Sequence, residues 1–268
     1  MARQTFAAGR FYPDHPETLL EELDALIPPM EDAGKKAVIG ALVPHAGYMY
    51  SGRVAGDVYA RIRARETYIV LGPNHTGVGD RFSLSLEDWE TPLGDMRVDT
   101  ELAGSIMDQT RLVSSDPSAH AMEHCVEVQL PFIKKMFPEA GFVPLVVSCG
   151  DIDELRSIGQ AIASSIRSSG KKVTILASSD MTHYEPRDSA SVKDKKAIDA
   201  LMSMDGEKLA ETVLTGNISM CGWVPSVIML FASKELGAVT PELVRYSDSG
   251  EVTGNSADVV GYAGMIIS

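Results

Sequence analysis

The sequence predicts an α/β fold: a single domain, residues 1–268, with a central, mainly parallel and partly mixed sheet flanked by helices. Three observations predict it. Short apolar, β-branched runs alternate with stretches of helical periodicity, the order that gives parallel strands covered on both faces. Three of those runs, at 37–43, 67–71 and 173–177, lead into turns that each carry a histidine: His45, His75 and His183. The length of 268 residues, with 44% hydrophobic and 23% charged residues, suits one large domain with a substantial core.

The elements follow in order. Leucines at 19, 20, 23 and 26 share one helical face, so 16–27 reads as an amphipathic helix. Strand 37–43 ends at Pro44-His45-Ala46-Gly47, and a helix over 52–63 follows. Strand 67–71 ends at Gly72-Pro73-Asn74-His75. The alternation over 81–87 predicts a half-exposed strand. Asp99 or Thr100 caps a helix to 109. Residues 121–137 read as one helix, kinked at Pro131. A buried strand over 142–147 precedes a helix from 151 to 168, capped by Asp151 and closed near Gly170. Strand 173–177 ends at Ser178-Ser179-Asp180-Met181-Thr182-His183. Helices over 189–203, 206–214 and 223–236 come next, the last with Pro225 in its first turn and Gly237 after it. Strands over 243–247 and 259–267 close the chain, and antiparallel pairing there makes the sheet mixed.

Composition excludes several classes. A formal charge of -13 repels phosphate backbones, which disfavours nucleic acid as partner. Lys193, Lys195 and Lys196, interrupted by Asp194, read as a solvated helix face. Three cysteines without a CxxC pair argue against a disulfide framework and for a reducing compartment. The first residues lack the apolar core of a signal peptide, and no apolar run is long enough to span a bilayer. The expectation is a cytoplasmic protein acting away from membranes.

Ligands of open α/β sheets bind outside the carboxyl ends of the strands. One loop histidine there is ordinarily a residue that bonds backbone. Two after consecutive strands, His45 and His75, point to a shared site, and neutral imidazole is the commonest metal ligand. His183 follows Asp180 by three residues, and a carboxylate near an imidazole fixes its tautomer and raises its basicity. Cys221 precedes Gly222 and a helix start, where the helix dipole lowers a thiol's pKa; Cys125 and Cys149 read as inert. His120-Ala-Met-Glu123-His124 matches the H-x-x-E-H pattern of inverted zinc proteases. Alternatively, His124 and Glu127 line the cleft beside the strand-end histidines. Zinc hydrolysis ranks behind the strand-end site because no third ligand is evident.

These segments resemble the Memo-like family, also called AmmeMemoRadiSam system protein B. The matching motifs are Ala8-Gly9-Arg10-Phe11-Tyr12-Pro13, Pro44-His45-Ala46-Gly47-Tyr48, Leu71-Gly72-Pro73-Asn74-His75 and Thr91-Pro92-Leu93-Gly94. They continue with 123–132, running from Glu123-His124-Cys125 to Pro131-Phe132, then 178–183 and Cys221-Gly222. The resemblance implies a fold like the LigB-type class III extradiol dioxygenases, which hold Fe(II) with two histidines and a carboxylate. It implies metal ligands at His45, His75 and Cys221, with the cysteine in the place of the carboxylate. It places His183 as the acid–base group with Asp180 beside it, and His124 as a further cleft residue. Fe(II) is the implied metal, with copper or zinc as alternatives because thiolate is a soft ligand. The implied function is metal-dependent redox chemistry on a small, aromatic-type substrate. The alternative is a binding or scaffold protein that takes a peptide or small molecule in the same cleft. The family name also implies a functional link with a radical-SAM enzyme and an AMMECR-type protein.

Overall fold

In the computed structural model, residues 2–268 are described. The elements in chain order are α1 (Pro16–Leu26), β1 (Gly40–Val43), α2 (Tyr48–Arg61), β2 (Thr67–Pro73), β3 (Phe82–Leu84), α3 (Thr100–Gln109), β4 (Ser114–Ser115), α4 (Leu130–Met136) and β5 (Gly141–Val147). They continue with α5 (Ile152–Ser169), β6 (Val173–Ser178), β7 (His183–Glu185), α6 (Arg187–Met202), α7 (Gly206–Thr215), α8 (Trp223–Glu235), β8 (Pro241–Asp248), α9 (Gly250–Thr253) and β9 (Val259–Ile267).

The sheet runs β4-β3-β5-β2-β6-β1-β9-β7, with β8 also paired to β9. Its centre, β5-β2-β6-β1, is parallel. β9 runs antiparallel to β1, β7 and β8, and β3 antiparallel to β5, so the sheet is mixed as the sequence predicts. The register sets Val43 beside Ser178 and Leu71 beside Ala177. The carboxyl ends of β1, β2 and β6 therefore lie level, and the residues that follow them emerge on one edge.

Alternating side chains of the central strands feed two cores. Leu42, Ile69, Leu71, Leu145 and Ile175 face α3, α5, α6, α7 and α8. Ala41, Val43, Tyr68, Val70 and Leu176 face α1, α2 and α4. Trimming any of the fully buried aliphatics to alanine costs about 2–5 kcal/mol. α5 and α8 approach closely because Gly159 has no Cβ: one built there would lie 2.7 Å from the Phe231 Cβ. α5 starts with a complete capping box of Asp151 and Glu154, and ends at Gly170 with φ 66°.

The structure corrects three local expectations. β1 starts at 40 rather than 37, because the Val38 carbonyl accepts hydrogen bonds from the Thr174 hydroxyl and the Arg65 guanidinium instead of a strand. The strand expected over 81–87 shortens to β3 and is buried throughout rather than half-exposed. Ser83 tolerates this because its hydroxyl donates to the Asp80 carbonyl. The long helix expected over 121–137 does not form. Residues 121–126 turn, Glu127–Gln129 is a 3-10 turn, and α4 begins at Leu130 with Pro131 in its first turn. A proline's missing N–H goes unmissed there, so Pro131 starts the helix rather than kinking it. Among the described residues no helix is long and apolar enough to cross a membrane.

Candidate metal centre

His45 follows β1 by two residues, His75 follows β2 by two, and Asp180 follows β6 by two. Cys221 arrives from the other side, immediately before Gly222, the cap of α8. Glycine is required at that cap: a Cβ there would lie 2.4 Å from the Ser178 carbonyl oxygen. The start of α8 thus presses on the end of β6 and carries the cysteine to the histidines. One ligand atom each from His45, His75 and Cys221 all lie within 4.8 Å of one another. Cys221 Sγ is 3.3 Å from His45 Nε2.

Hydrogen bonds fix which nitrogen of each ring is free. His45 Nδ1 is 3.0 Å from Ser178 Oγ. That hydroxyl donates its single proton to the Cys125 carbonyl at 2.7 Å and accepts from Gln129 Nε2 at 2.9 Å. Gln129 is itself oriented, since its Nε2 also donates to the Pro44 carbonyl and its Oε1 accepts from Tyr59. Ser178 therefore accepts from His45, so Nδ1 carries the proton and Nε2 offers its lone pair. His75 Nδ1 lies 2.9 Å from Glu123 Oε1, which leaves Nε2 free in the same way. A carboxylate or hydroxyl behind a ligating imidazole is the usual means of holding tautomer and orientation.

Electrostatics agree with a donor role. Burial, reinforced by His75, pushes His45 down to about 3. Burial and neighbouring His45 push His124 down to about 4. Burial alone would raise Glu123, but hydrogen bonds from His75 and from the Cys125 N–H, with His124 close by, hold it at about 2. His45 and His124 are therefore neutral near neutral pH, and Glu123 is ionised. For Cys221 the expectation reverses. Burial, then the Asp180 carboxylate, push the thiol up rather than down. Desolvation of a thiolate outweighs the dipole of α8 and the Asp180 N–H, which donates to Sγ at 3.3 Å.

Asp180 and His183 are brought to the same cleft, but not as a hydrogen-bonded pair. Asp180 Oδ1 accepts from the His45 N–H at 2.8 Å and the Ala46 N–H at 3.3 Å, so it shapes the His45 loop. His183 lies in β7, and its Nδ1 donates to the Ser219 carbonyl at 2.9 Å. Its free nitrogen is again Nε2. His124 sits between Phe11 and His75, with ring centroids at 4.4 and 4.7 Å and near-parallel planes. The cleft over these groups has a volume of about 600 Å³, and its walls include Phe11, Tyr50, Tyr184 and Tyr262.

The H-x-x-E-H reading fails on structure. No helix spans 120–124, so His120 and His124 do not share a helical face. His120 is fully buried, its Nε2 donates to the Ser83 carbonyl, and its ring meets Trp89 edge-on. Glu123 from that motif instead stands behind His75. Glu127, expected in the cleft, is buried behind it and bonds Arg3, Tyr12 and the N–H groups of Phe6 and Ala7. Sequence reasoning missed Ser178, Gln129 and the N-terminal wall at Phe11. Only their place inside the 8–13, 123–132 and 178–183 motifs pointed to them.

A model of the family described as Memo-like protein matches residues 3–266. The chain belongs to the Memo-like family. A MEMO1 family protein of Methanosarcina barkeri is 42% identical over 266 residues, covering 99% of each chain. One of Methanopyrus kandleri is 37% identical over 279 residues, again covering 99% of each. An uncharacterized Escherichia coli K12 protein of solved structure shares the fold at a TM-score of 0.57 and 12% identity, covering 85% of this Memo-like chain and 99% of that one. Of the motifs that carry the resemblance in sequence, those around Phe11, His45, His75, His124, Asp180 and His183 converge on the cleft of this Memo-like fold, whereas 91–94 lies outside it.

Proposed function

We propose that this Memo-like protein is a metal-dependent redox enzyme that holds Fe(II), before copper or zinc, with His45, His75 and Cys221. In this reading it acts on a small, aromatic-bearing substrate in the cleft. The observation that carries the reading is the donor set itself. Two imidazoles with Nδ1–H committed to Ser178 and Glu123 turn their free Nε2 atoms toward one thiol. Two nitrogens and a soft sulfur suit a redox metal. Such an ion, when bound, supplies Lewis-acid and one-electron chemistry.

The protein's own groups do the rest. His183, its Nδ1–H held by Ser219, uses Nε2 to take a proton from a substrate hydroxyl and return it. Asp180 keeps the His45 loop in place through two backbone N–H groups. His124, neutral and stacked between Phe11 and His75, offers a hydrogen bond to the ligand. The aromatic walls exclude water from the face of the substrate. Partners in this reading are a small-molecule ligand and, through the family name, a radical-SAM enzyme and an AMMECR-type protein.

The test is anaerobic reconstitution with Fe(II), Cu and Zn, followed by metal analysis of wild type, His45→Ala, His75→Ala and Cys221→Ser. Stoichiometric metal in wild type and its loss in each variant is expected. Equal metal in all four sinks the assignment. Oxygen uptake by the Fe(II) form with a catechol and phenol panel then tests the redox step.

A second reading, a peptide-binding protein that uses the cleft without chemistry, is favoured by the exposed side chain of Tyr184 in the cleft wall and by exposed Met49 and Met122, one and two residues from the cleft residues Tyr50 and His124. It requires that His45→Ala and Cys221→Ser keep peptide binding intact.

A further inference from the structure

Three non-glycine residues among those described have a positive φ: Met204 at 57°, Asn217 at 45° and Tyr184 at 56°. Two have an ordinary cause. Met204 follows Ser203, the cap of α6, and Asn217 follows Gly216, the cap of α7. A left-handed residue just past a helix end is a standard terminator. Tyr184 is different, because it lies in the middle of β7.

Its neighbours hold it there. His183 is opposite Val260 and Glu185 opposite Val259, so β7 advances two residues while β9 advances one. Tyr184 is the extra residue of a bulge, a position that favours glycine when its backbone is left-handed. The His183 N–H donates to Ser219 Oγ at 2.8 Å, and Glu185 is tied to Lys193 and Ser189 at 2.6 Å each. In a regular strand His183 and Tyr184 would point to opposite faces. Here both line the cleft, which is the re-aiming that a bulge provides. The backbone strain is not repaid by packing, since Tyr184 is 76% exposed and its ring meets His183 edge-on at 5.8 Å. A large aromatic held in strain at the mouth of a cleft is placed for a ligand rather than for the fold.

We propose that Tyr184 is a specificity-determining residue, whose ring forms the wall of the cleft against which a planar aromatic ligand packs. This rests on the reading of the cleft as a site for an aromatic-bearing substrate. Phe11, Tyr50 and Tyr262 supply the rest of the apolar lining. The ring does the work, so loss of the hydroxyl has little effect and loss of the ring a large one.

The test uses the full chain reconstituted anaerobically with Fe(II), titrated with 4-nitrocatechol and followed by visible absorbance, alongside metal content and thermal midpoint. Tyr184→Phe is expected to bind within about twofold of wild type, and Tyr184→Gly about tenfold more weakly. Metal content stays unchanged in both. Tyr184→Gly also relieves the left-handed backbone, raising the thermal midpoint by about 2–4 °C. Wild-type affinity retained in Tyr184→Gly overturns the role of Tyr184 and leaves the aromatic-ligand reading standing. A lowered midpoint in Tyr184→Gly shows that the tyrosine serves the fold, and overturns it too. Failure of wild type itself to bind 4-nitrocatechol overturns the aromatic-ligand reading and this inference with it.

Discussion

Glu123 Oε1 stands 2.9 Å behind His75 Nδ1, and the same carboxylate accepts from the His75 N–H at 2.6 Å and from the His124 and Cys125 N–H groups. One fully buried side chain thus sets the ring of a candidate ligand, its backbone, and the turn that carries His124. Glu123→Gln keeps the size but loses the charge and part of the acceptor capacity. Fe(II) affinity measured by chelator competition should fall about 10- to 100-fold. An unchanged affinity would show that the carboxylate does not orient the ligand.

Ser178 joins the two sides of the site. Its hydroxyl meets His45, Gln129 and the Cys125 carbonyl. Ser178→Ala leaves three buried polar groups short of a partner and should lower unfolding free energy by about 1–3 kcal/mol in urea. It should also weaken metal binding, because His45 loses the partner that fixes its tautomer. A stability loss with metal affinity intact would confine Ser178 to the fold.

The N-terminal wall depends on a buried ion pair. Arg3 and Glu127 meet at 2.7 Å, with Arg3 stacked over Trp89 and Tyr12 on the same carboxylate. Removing one partner leaves a buried charge, so Glu127→Ala should cost about 3–5 kcal/mol. Because Phe11 lies in the tethered segment, the His124 ring loses its cover, and proteolysis should cut first near residues 3–12. Cleavage elsewhere at the same rate as in wild type would contradict this.

Asp194 carries a pH dependence of stability. It is buried beneath β7, accepting from the Thr182 N–H at 2.9 Å and from Tyr246 at 2.8 Å. Burial raises its pKa despite those bonds. The folded state therefore holds the Asp194 proton more tightly than the unfolded chain does. That contribution is complete below the unfolded value of about 3.9 and disappears as pH rises through the raised folded value. Asp194→Asn removes the titration. The stability of wild type relative to the variant should fall as pH rises above about 4, then level off. Parallel curves in denaturant titrations at successive pH would refute it.

The sequence made the frame of this site legible and hid its supports. Strand periodicity followed by Pro-His or Asn-His turns located His45 and His75, because strand ends and turns are local properties. Cys221 stood out locally only as a thiol at a helix start, and its grouping with the two histidines came through the family motif, since the contact with His45 spans 176 residues. The region 120–131 misled for a physical reason. Its apolar spacing fits a helix, but Arg3 draws the His120 and Glu123 carbonyls toward itself and Glu123 takes three nearby N–H groups. Tertiary hydrogen bonds there replace the helical ladder, which moves Glu123 from a surface motif to the back of His75.

The distance along the chain from His45 to Cys221 also has a consequence in time. At a synthesis rate of about 5–20 residues per second, roughly 9–35 s separate the appearance of the first histidine from that of the thiol. Through that interval the nascent chain carries the two imidazoles without the one thiol that the fold sets beside them, since Cys125 and Cys149, made earlier, are not part of the set of His45, His75 and Cys221. The full set of donors exists only after α8 has docked on β6. On the proposed ligand set, the choice of metal would therefore belong to the finished fold and not to the growing chain.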